Sequence, residues 1–164
     1  MAVNQAQLQS INGAIGGLYT LFCNDPNKSL TGTVAETELF RQIVPANLIG
    51  VSGALVVVPL FSNNNSVGNK TLRIKFGGTT FSEATNTANL TCQIFKFITN
   101  TALNAQISSA LSALGFGAAA GDHVIGAIDT TIDQYVTITG QLANALDTMT
   151  LEATYIGVIP WSQH

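Results

Sequence analysis

The stretch from Leu30 to Phe81 constrains the fold most, because three strand-like runs follow one another there with only turns between them. The first run, Thr37 to Val44, ends at Pro45, whose missing amide and fixed φ angle stop a strand from continuing. Ala54 to Phe61 is the second run. The third, Thr71 to Phe76, alternates apolar and polar residues, as a strand does when one face lies on a core. This pattern predicts an all-β protein.

The second run is apolar on both of its alternating sets of side chains. Leu55 and Val57 belong to one set, and Val56, Val58 and Leu60 belong to the other. A strand of this kind is either buried on both faces or packed against a neighbouring subunit. We therefore predict that Val56, Val58 and Leu60 contact a partner.

Later parts of the chain repeat the pattern of short runs and turn residues. We predict further strands at Leu18 to Cys23, Thr91 to Ile98, Val124 to Ile128, Gln134 to Gly140 and Met149 to Ile159. Eight or so short strands with turns between them predict a two-sheet antiparallel sandwich, most simply a jelly roll. The order of strands within the sheets cannot be read from their spacing.

The segment from Asn100 to Gly121 fits two structures. Its apolar residues are spaced as on one face of a helix: Leu103, Ile107, Ala110, Leu111 and Leu114. A helix here would end at Gly115. Because Thr, Ser and Asn are poor helix formers, the segment fits a long extended arm as well. The sequence thus allows at most one short helical insertion.

Residues 1–17 precede the first predicted strand and carry no charged side chain. Leu8, Ile11 and Ile15 fall at i, i+3 and i+7, which is the spacing of a short amphipathic helix, and three glycines loosen the chain nearby. We predict an N-terminal arm over residues 1–17 and one β-sandwich domain over residues 18–164. We expect Leu8, Ile11 and Ile15 to contact a partner.

The composition favours a protein whose surface is covered by partners. Of the 164 residues, 9% are charged and 46% are hydrophobic, whereas a charged fraction of about 25% is usual. The alternative is that abundant Thr, Asn, Gln and Ser solvate the surface. The net charge of −3 and six scattered basic residues argue against nucleic-acid binding. The nearest approach to a basic patch is Arg73 and Lys75 beside Lys70, which we interpret as a solvated strand face.

Two further expectations concern the cysteines and the membrane. Residues 1–17 lack the basic and apolar regions of a secretory signal, so we expect assembly in the cytoplasm. Reduced thiols are the rule there, and we predict that Cys23 and Cys92 are free and buried. The longest uncharged stretch, Phe97 to Gly121, is interrupted by glycine, Asn and Ser, which argues against a membrane span.

No arrangement of residues in the sequence predicts an enzyme. Asp122, Asp129 and Asp133 lack the dense oxygen spacing of a calcium loop, and the two histidines are far apart. Glu36 and Glu38 share a strand face and resemble a glycosidase carboxylate pair, but residues two apart on an exposed strand usually only solubilise it. We expect no catalytic residue, no metal and no cofactor.

Four segments in the first half of the chain carry a resemblance, together with three in the last third. The early ones are Thr31-Gly32-Thr33, Ile43-Val44-Pro45-Ala46-Asn47, the Gly-bounded apolar strand from Ala54 to Phe61 and the run from Asn69 to Thr79; the later ones are Asp129 to Thr131, Val136 to Gln141 and Met149 to Ala153. Their succession resembles the β-sandwich domains of tailed-bacteriophage virion proteins. Such domains occur in head decoration proteins and in tail-fibre or receptor-binding proteins.

The resemblance implies a structural protein of the virion, assembled in the host cytoplasm. The uncharged N-terminal arm favours a head decoration or cement protein that binds the lattice of the major capsid protein and stabilises it. The alternative is a receptor-binding or tail-fibre module that attaches to the host surface. Together with the doubly apolar second run and the low charge, the resemblance leads us to expect a homo-oligomer, in particular a trimer.

Overall fold

The computed structural model describes residues 18–24, 26–116 and 118–160. Within these residues the chain forms twelve strands and no helix, so the all-β prediction is confirmed. The strands are β1 (Tyr19–Asn24), β2 (Lys28–Leu30), β3 (Thr37–Val44), β4 (Ala54–Asn63), β5 (Lys70–Phe76), β6 (Thr79–Asn86), β7 (Thr91–Gln93), β8 (Lys96–Ala102), β9 (Ala105–Ser108), β10 (Val124–Gly126), β11 (Gln134–Leu142) and β12 (Met149–Ile159). In the described part of the chain, nothing helical is long and apolar enough to cross a membrane.

The strands form two antiparallel sheets. The large sheet has the order β1-β12-β4-β8-β9-β10, with β2 also beside β12 and β7 also beside β4; the small sheet has the order β3-β11-β5-β6. The chain passes from one sheet to the other between most consecutive strands, and β5 and β6 form a hairpin within the small sheet. Apart from the additional strands, β1-β12-β4-β8 lies against β3-β11-β5-β6, which is the arrangement of a jelly roll. The predicted sandwich is therefore confirmed.

One hydrophobic core lies between the sheets. It forms because alternate side chains of each strand point inward, and these positions are apolar. Both sheets supply side chains with no exposed surface: Leu55, Val57 and Phe61 of β4, Leu72, Ile74 and Phe76 of β5, Val136 and Ile138 of β11, and Ile156 and Val158 of β12.

The hairpin between β5 and β6 depends on two glycines. Gly77 and Gly78 have φ angles of 53° and 84°, in the left-handed region that other residues seldom adopt. A two-residue turn with both φ angles positive matches the twist of the flanking strands. It returns the chain so that Phe76 pairs with Thr79. No strand was predicted for residues 79–86, so β6 is a strand that the sequence pattern did not reveal.

The helical interpretation of the segment from Leu103 to Leu114 is wrong. The extended alternative is correct for Ala105–Ser108, which form β9. Ala105 pairs with Ala102 across a two-residue turn, and β9 then lies between β8 and β10. Hydrogen bonding to two neighbouring strands overrides the helical spacing of the apolar residues. The predicted strand from Thr91 to Ile98 is also divided in two: β7 pairs with the end of β4 and β8 with its beginning.

Candidate interaction surface

The outer face of the small sheet is polar, and its charges are paired. Nε of Arg73 lies 2.6 Å from Oε2 of Glu83, and Nη1 of Arg73 lies 3.5 Å from Oε2 of Glu36. Nζ of Lys75 lies 2.6 Å from Oε1 of Glu36. The hydrogen bonds from Lys75 and then from Thr139 lower the pKa of Glu36 from its ordinary value. Acidic neighbours therefore neutralise the basic strand face that the sequence contains.

Lys70 does not belong to that face, because its side chain has no exposed surface. Its Nζ donates to the carbonyl oxygens of Gly68 and Thr87, at 2.9 and 3.1 Å, and to Oγ of Ser66 at 2.7 Å. Oδ2 of Asp147 lies 3.8 Å away. The hydrogen bond from Ser66 and then that from Asn64 lower the pKa of Asp147. The sequence interpretation that grouped Lys70 with Arg73 and Lys75 is thus corrected.

The outer face of the large sheet has the opposite character. Strand pairing and alternation place the following side chains on it, and we call this set the outer apolar face: Thr20, Cys23, Val56, Val58, Leu60, Phe95, Phe97, Ile107, Ile125, Ala153 and Tyr155. None of these side chains is charged, and the one carboxylate of β12 that reaches this face, that of Glu152, accepts a hydrogen bond from Oγ of Ser62. The outer face of the small sheet therefore has the composition of a solvated surface, whereas that of the large sheet has the composition of an interaction surface.

The predicted contact residues of β4 lie on the outer apolar face, but they are not equally accessible. Val56 lies between Gly157 and Phe97 of the neighbouring strands and is only 4% exposed. Val58 and Leu60 are half-buried and line a shallow groove of ≈ 250 Å³ with Tyr155 and other residues. Neighbours in the same chain thus cover Val56, whereas Val58 and Leu60 retain surface for a partner. The other predicted contacts, Leu8, Ile11 and Ile15, lie outside the described residues.

Three phenylalanines form a cluster at one side of the outer apolar face. The ring centroid of Phe95 lies 5.2 Å from that of Phe97 and 5.0 Å from that of Phe116, and the last two are 6.5 Å apart. These spacings are typical of interacting aromatic pairs. The rings line an open pocket of ≈ 470 Å³, together with Thr99, Ile107, Ser108, Ser109, Gly115 and His123. The side chain of Phe116 is 86% exposed.

The loop that carries Phe116 runs from residue 109 to residue 116, and we call it the strap. Its backbone is tied to both sheets: the amide of Glu83 donates to the carbonyl oxygen of Leu111 at 2.8 Å, and the amide of Phe95 donates to that of Leu114 at 2.7 Å. These bonds fix a loop that has no strand partners of its own. The strap therefore holds Phe116 above Phe95 and Phe97.

A buried lysine holds the beginning of the strap. Lys96 of β8 points inward, opposite Val57, and has no exposed surface. Its Nζ donates to the carbonyl oxygens of Ser109 and Ala110, at 2.9 and 2.8 Å, and to Oγ of Ser109 at 3.1 Å. Burial lowers the pKa of Lys96 from 10.5 to about 8, because it disfavours the charged form. Every recorded partner of this ammonium group is a neutral oxygen.

The acidic residues considered as chemical candidates are separated and engaged locally. Oδ1 of Asp129 accepts hydrogen bonds from the amide and hydroxyl of Thr131, which lower the pKa of Asp129. Asp133 accepts a bond from the amide of Ala46, and Asp122 lies beside His123. Oε2 of Glu38 lies 2.6 Å from Nη2 of Arg41, so Glu38 does not share the ion pairs of Glu36. Within the described ranges, no three His, Cys, Asp or Glu side chains converge where they could hold a metal ion.

Both cysteines are free, as predicted, but only one is buried. Cys92 lies in the core, whereas Cys23 is exposed on the outer apolar face opposite Tyr155. The expectation of two buried thiols is therefore wrong for Cys23. The cause is alternation along β1: Phe22 packs against the core, so its neighbour must face outward.

The sequence analysis missed Lys96, the strap and the aromatic pocket. A signal for Lys96 was present, because Ile94 and Ile98 occupy the same alternating set and both are fully buried. A charged residue between them should point into the core and need polar partners there. No comparable signal indicated Phe116, because the strap brings it to Phe95 and Phe97 from twenty residues away.

No family model matches the chain, and no curated protein matches it. Among solved structures, dimeric latent PorU from Porphyromonas gingivalis aligns with 87% of this chain at 9% identity and a TM-score of 0.45. The structure of infectious bursal disease virus, Gx strain, aligns with 90% of this chain at 12% identity and a TM-score of 0.43. The D431N mutant VP2 protein of the same virus, from derived T=1 particles, aligns with 88% of this chain at 13% identity and a TM-score of 0.37. The chain spans 12%, 33% and 31% of those chains, respectively.

Proposed function

We propose that this chain is a structural protein of a tailed-bacteriophage virion, and specifically a head decoration protein that binds and stabilises the capsid lattice. The observation that carries the proposal is the contrast between the two outer faces of the sandwich. One face carries a cluster of paired charges, and the other is mainly apolar over the strands of the large sheet. Soluble monomers rarely expose a contiguous apolar patch of this kind.

The physical role of the outer apolar face is burial against other protein surfaces. A stable interface buries roughly 1,200–2,000 Å² in total. On this face, the binding energy comes from apolar contact and from uncharged hydrogen bonds. Such an interface is screened little by salt, in contrast to one that depends on exposed ion pairs. The partners are other copies of the chain, arranged as a trimer, and the major capsid protein.

Two further arguments support the virion assignment. The jelly roll recurs in viral capsid domains and in lectins, and this is an argument from analogy of fold. The segments from Thr31 to Thr79 and from Asp129 to Ala153 resemble tailed-phage virion domains in sequence. Both arguments fit a protein that works by contact and not by chemistry.

Self-association tests the role of the outer apolar face. We expect sedimentation at micromolar concentration to show an oligomer, and Ile125→Asp to weaken it at least about tenfold. Ile125 is 69% exposed on this face, so a charge there should not unfold the protein. The matched control is Val67→Asp, because Val67 is 93% exposed but lies outside the face. A monomer at every concentration, with no binding to particles, would exclude the proposal.

The location in the virion is tested with particles that lack the protein. They should lose DNA at a lower temperature than complete particles, and added protein should restore the original temperature. The bound protein should remain attached at high salt and in the presence of chelators. Removal of residues 1–17 should weaken attachment and leave the melting temperature of the protein nearly unchanged. Release by salt or by a chelator would contradict binding through the apolar face.

The second candidate is a receptor-binding or tail-fibre module, and the aromatic pocket favours it. Phe95, Phe97 and Phe116 present rings to solvent, as a binding site for a host surface molecule would. The same particles distinguish the two functions. If particles without the protein are as heat-stable as complete ones but no longer adsorb to host cells, the receptor-binding function is correct.

A further inference from the structure

The aromatic pocket is suited to an apolar occupant, because phenyl rings and Ile107 form much of its lining and its own chain already engages several of its polar groups. Oγ of Ser108 donates to the carbonyl oxygen of Phe97, and Oγ of Ser109 accepts a bond from Lys96. Nδ1 of His123 lies 2.7 Å from Oδ1 of Asp122. A sugar or a charged group would need free donors and acceptors. An aliphatic side chain needs only the phenyl rings and Ile107.

A row of uncharged side chains, which we call the apolar track, leads to this pocket from the end of the N-terminal segment that joins β1. Strand pairing aligns Ile159, Ala54, Thr99, Ile107 and Ile125 in one row across five strands of the large sheet. At a strand spacing of about 4.8 Å, the row is about 19 Å long. Ile159 and Ile125 at its ends are 41% and 69% exposed.

The N-terminal segment begins at the end of this row. Tyr19 pairs with Val158, the neighbour of Ile159, and Leu18 beside it is 52% exposed. The preceding 17 residues carry no charge. Fully extended, they span about 60 Å, which is several times the length of the row.

We propose that the N-terminal segment docks along this row, with Leu8, Ile11 and Ile15 on the apolar track and one of them in the aromatic pocket. The match is one of chemistry and reach: an uncharged segment with apolar residues starts beside an uncharged apolar track that ends in an apolar pocket. The segment occupies the face of its own copy or of a neighbouring copy. This inference is independent of the virion assignment.

Disulfide trapping in the full-length protein tests the docking. In a Cys23→Ser background, Asn12→Cys is combined with Gly115→Cys and oxidised mildly, so that Ile11 and the three phenyl rings are kept; Gly115 lines the pocket, and a Cβ there would meet nothing within 4 Å. The matched control combines Asn12→Cys with Val67→Cys, because Val67 is exposed but lies near the opposite end of β4. We expect the first pair to cross-link at least about tenfold faster than the control. An intramolecular product shows docking on the same copy, and an intermolecular product shows docking on a neighbour; both support the proposal.

Equal cross-linking rates for the two pairs would overturn the proposal. So would preferential cross-linking of Gly115→Cys to Trp161→Cys, because the C-terminal residues would then occupy the pocket. A second measurement uses elastase cleavage within residues 1–17. The double variant Phe116→Ser/Ile125→Ser should be cut faster than the wild type, and Val67→Ser/Leu146→Ser should not, since Leu146 is also 87% exposed. Unchanged cleavage of the first variant would also count against docking.

Discussion

Replacing the buried lysine of β8 separates its electrostatic cost from its structural role. Lys96 has no exposed surface, and its ammonium group donates to oxygens of Ser109 and Ala110. Lys96→Met keeps much of the aliphatic chain and removes the charge. It also leaves the two strap carbonyls without this donor. At neutral pH these effects oppose each other, so the informative quantity is how the effect of the substitution changes with pH.

The direction of that change follows from the pKa. Burial lowers the pKa of Lys96 from 10.5 to about 8, so between these pH values the unfolded chain binds more protons than the folded protein. The free energy of unfolding therefore rises with pH across this window, as the cost of burying the ammonium group disappears. At about 1.4 kcal/mol for each pKa unit, the full effect is at most about 3.5 kcal/mol.

The measurement is urea denaturation followed by circular dichroism, at several pH values from below 8 to above 10.5. The free energy of unfolding of the wild type, minus that of Lys96→Met, should increase by up to about 3.5 kcal/mol over this range. Groups that titrate in both proteins cancel in the difference. Lys28→Met removes an exposed lysine and corrects for the loss of one positive charge. A difference that stays constant with pH would refute the argument that burial disfavours the charged form of Lys96.

Three further results are expected. Phe61→Ala should reduce the free energy of unfolding by about 3–5 kcal/mol, because the ring is fully buried, whereas Phe116→Ala at an exposed position should change it little in denaturation experiments. Gly53→Ala should lower the melting temperature, since a Cβ would lie 2.0 and 2.6 Å from two backbone carbonyl oxygens, and Gly115→Ala should not, because its Cβ would meet nothing within 4 Å. A thiol reagent should label Cys23 in the folded protein and reach the second, buried thiol only after unfolding; equal labelling rates would contradict the burial.

Strands with strong local patterns were predictable from the sequence. The bounds predicted for β3 and β12 agree with the structure, because alternating apolar residues and flanking turn residues mark both. The strand β6 was missed, because Ser, Thr and Asn dominate it, and the segment of β9 was left open between a helix and an extended arm. Hydrogen bonds to β5 on one side, and to β8 and β10 on the other, make these segments strands. Such pairing joins distant parts of the chain, and local composition does not record it.

The interaction surface was predictable only in part, for the same reason. The alternating set Val56, Val58 and Leu60 was correctly separated from the inward set, and the structure places it on the outer face of the large sheet. The aromatic pocket needs residues from β8, β9 and the strap in addition. Their proximity follows from strand order, and spacing along the sequence does not determine that order. The arm over residues 1–17 stays a prediction, since it lies outside the described residues.

The distribution of the basic residues leaves the outer apolar face without a lysine or an arginine. Of the six basic residues, Lys70 and Lys96 are buried, and Arg41, Arg73 and Lys75 lie on the small sheet. Only Lys28, on the short strand β2 beside β12, remains near the large sheet. The number of basic residues in the sequence thus overstates how many of them solvate the surface of the large sheet. Burying two lysines inside the sandwich costs free energy. Two lysines on the outer apolar face would instead disrupt the apolar contacts of an interface formed there. The location of the six basic residues is therefore itself an argument that the outer apolar face is used for binding.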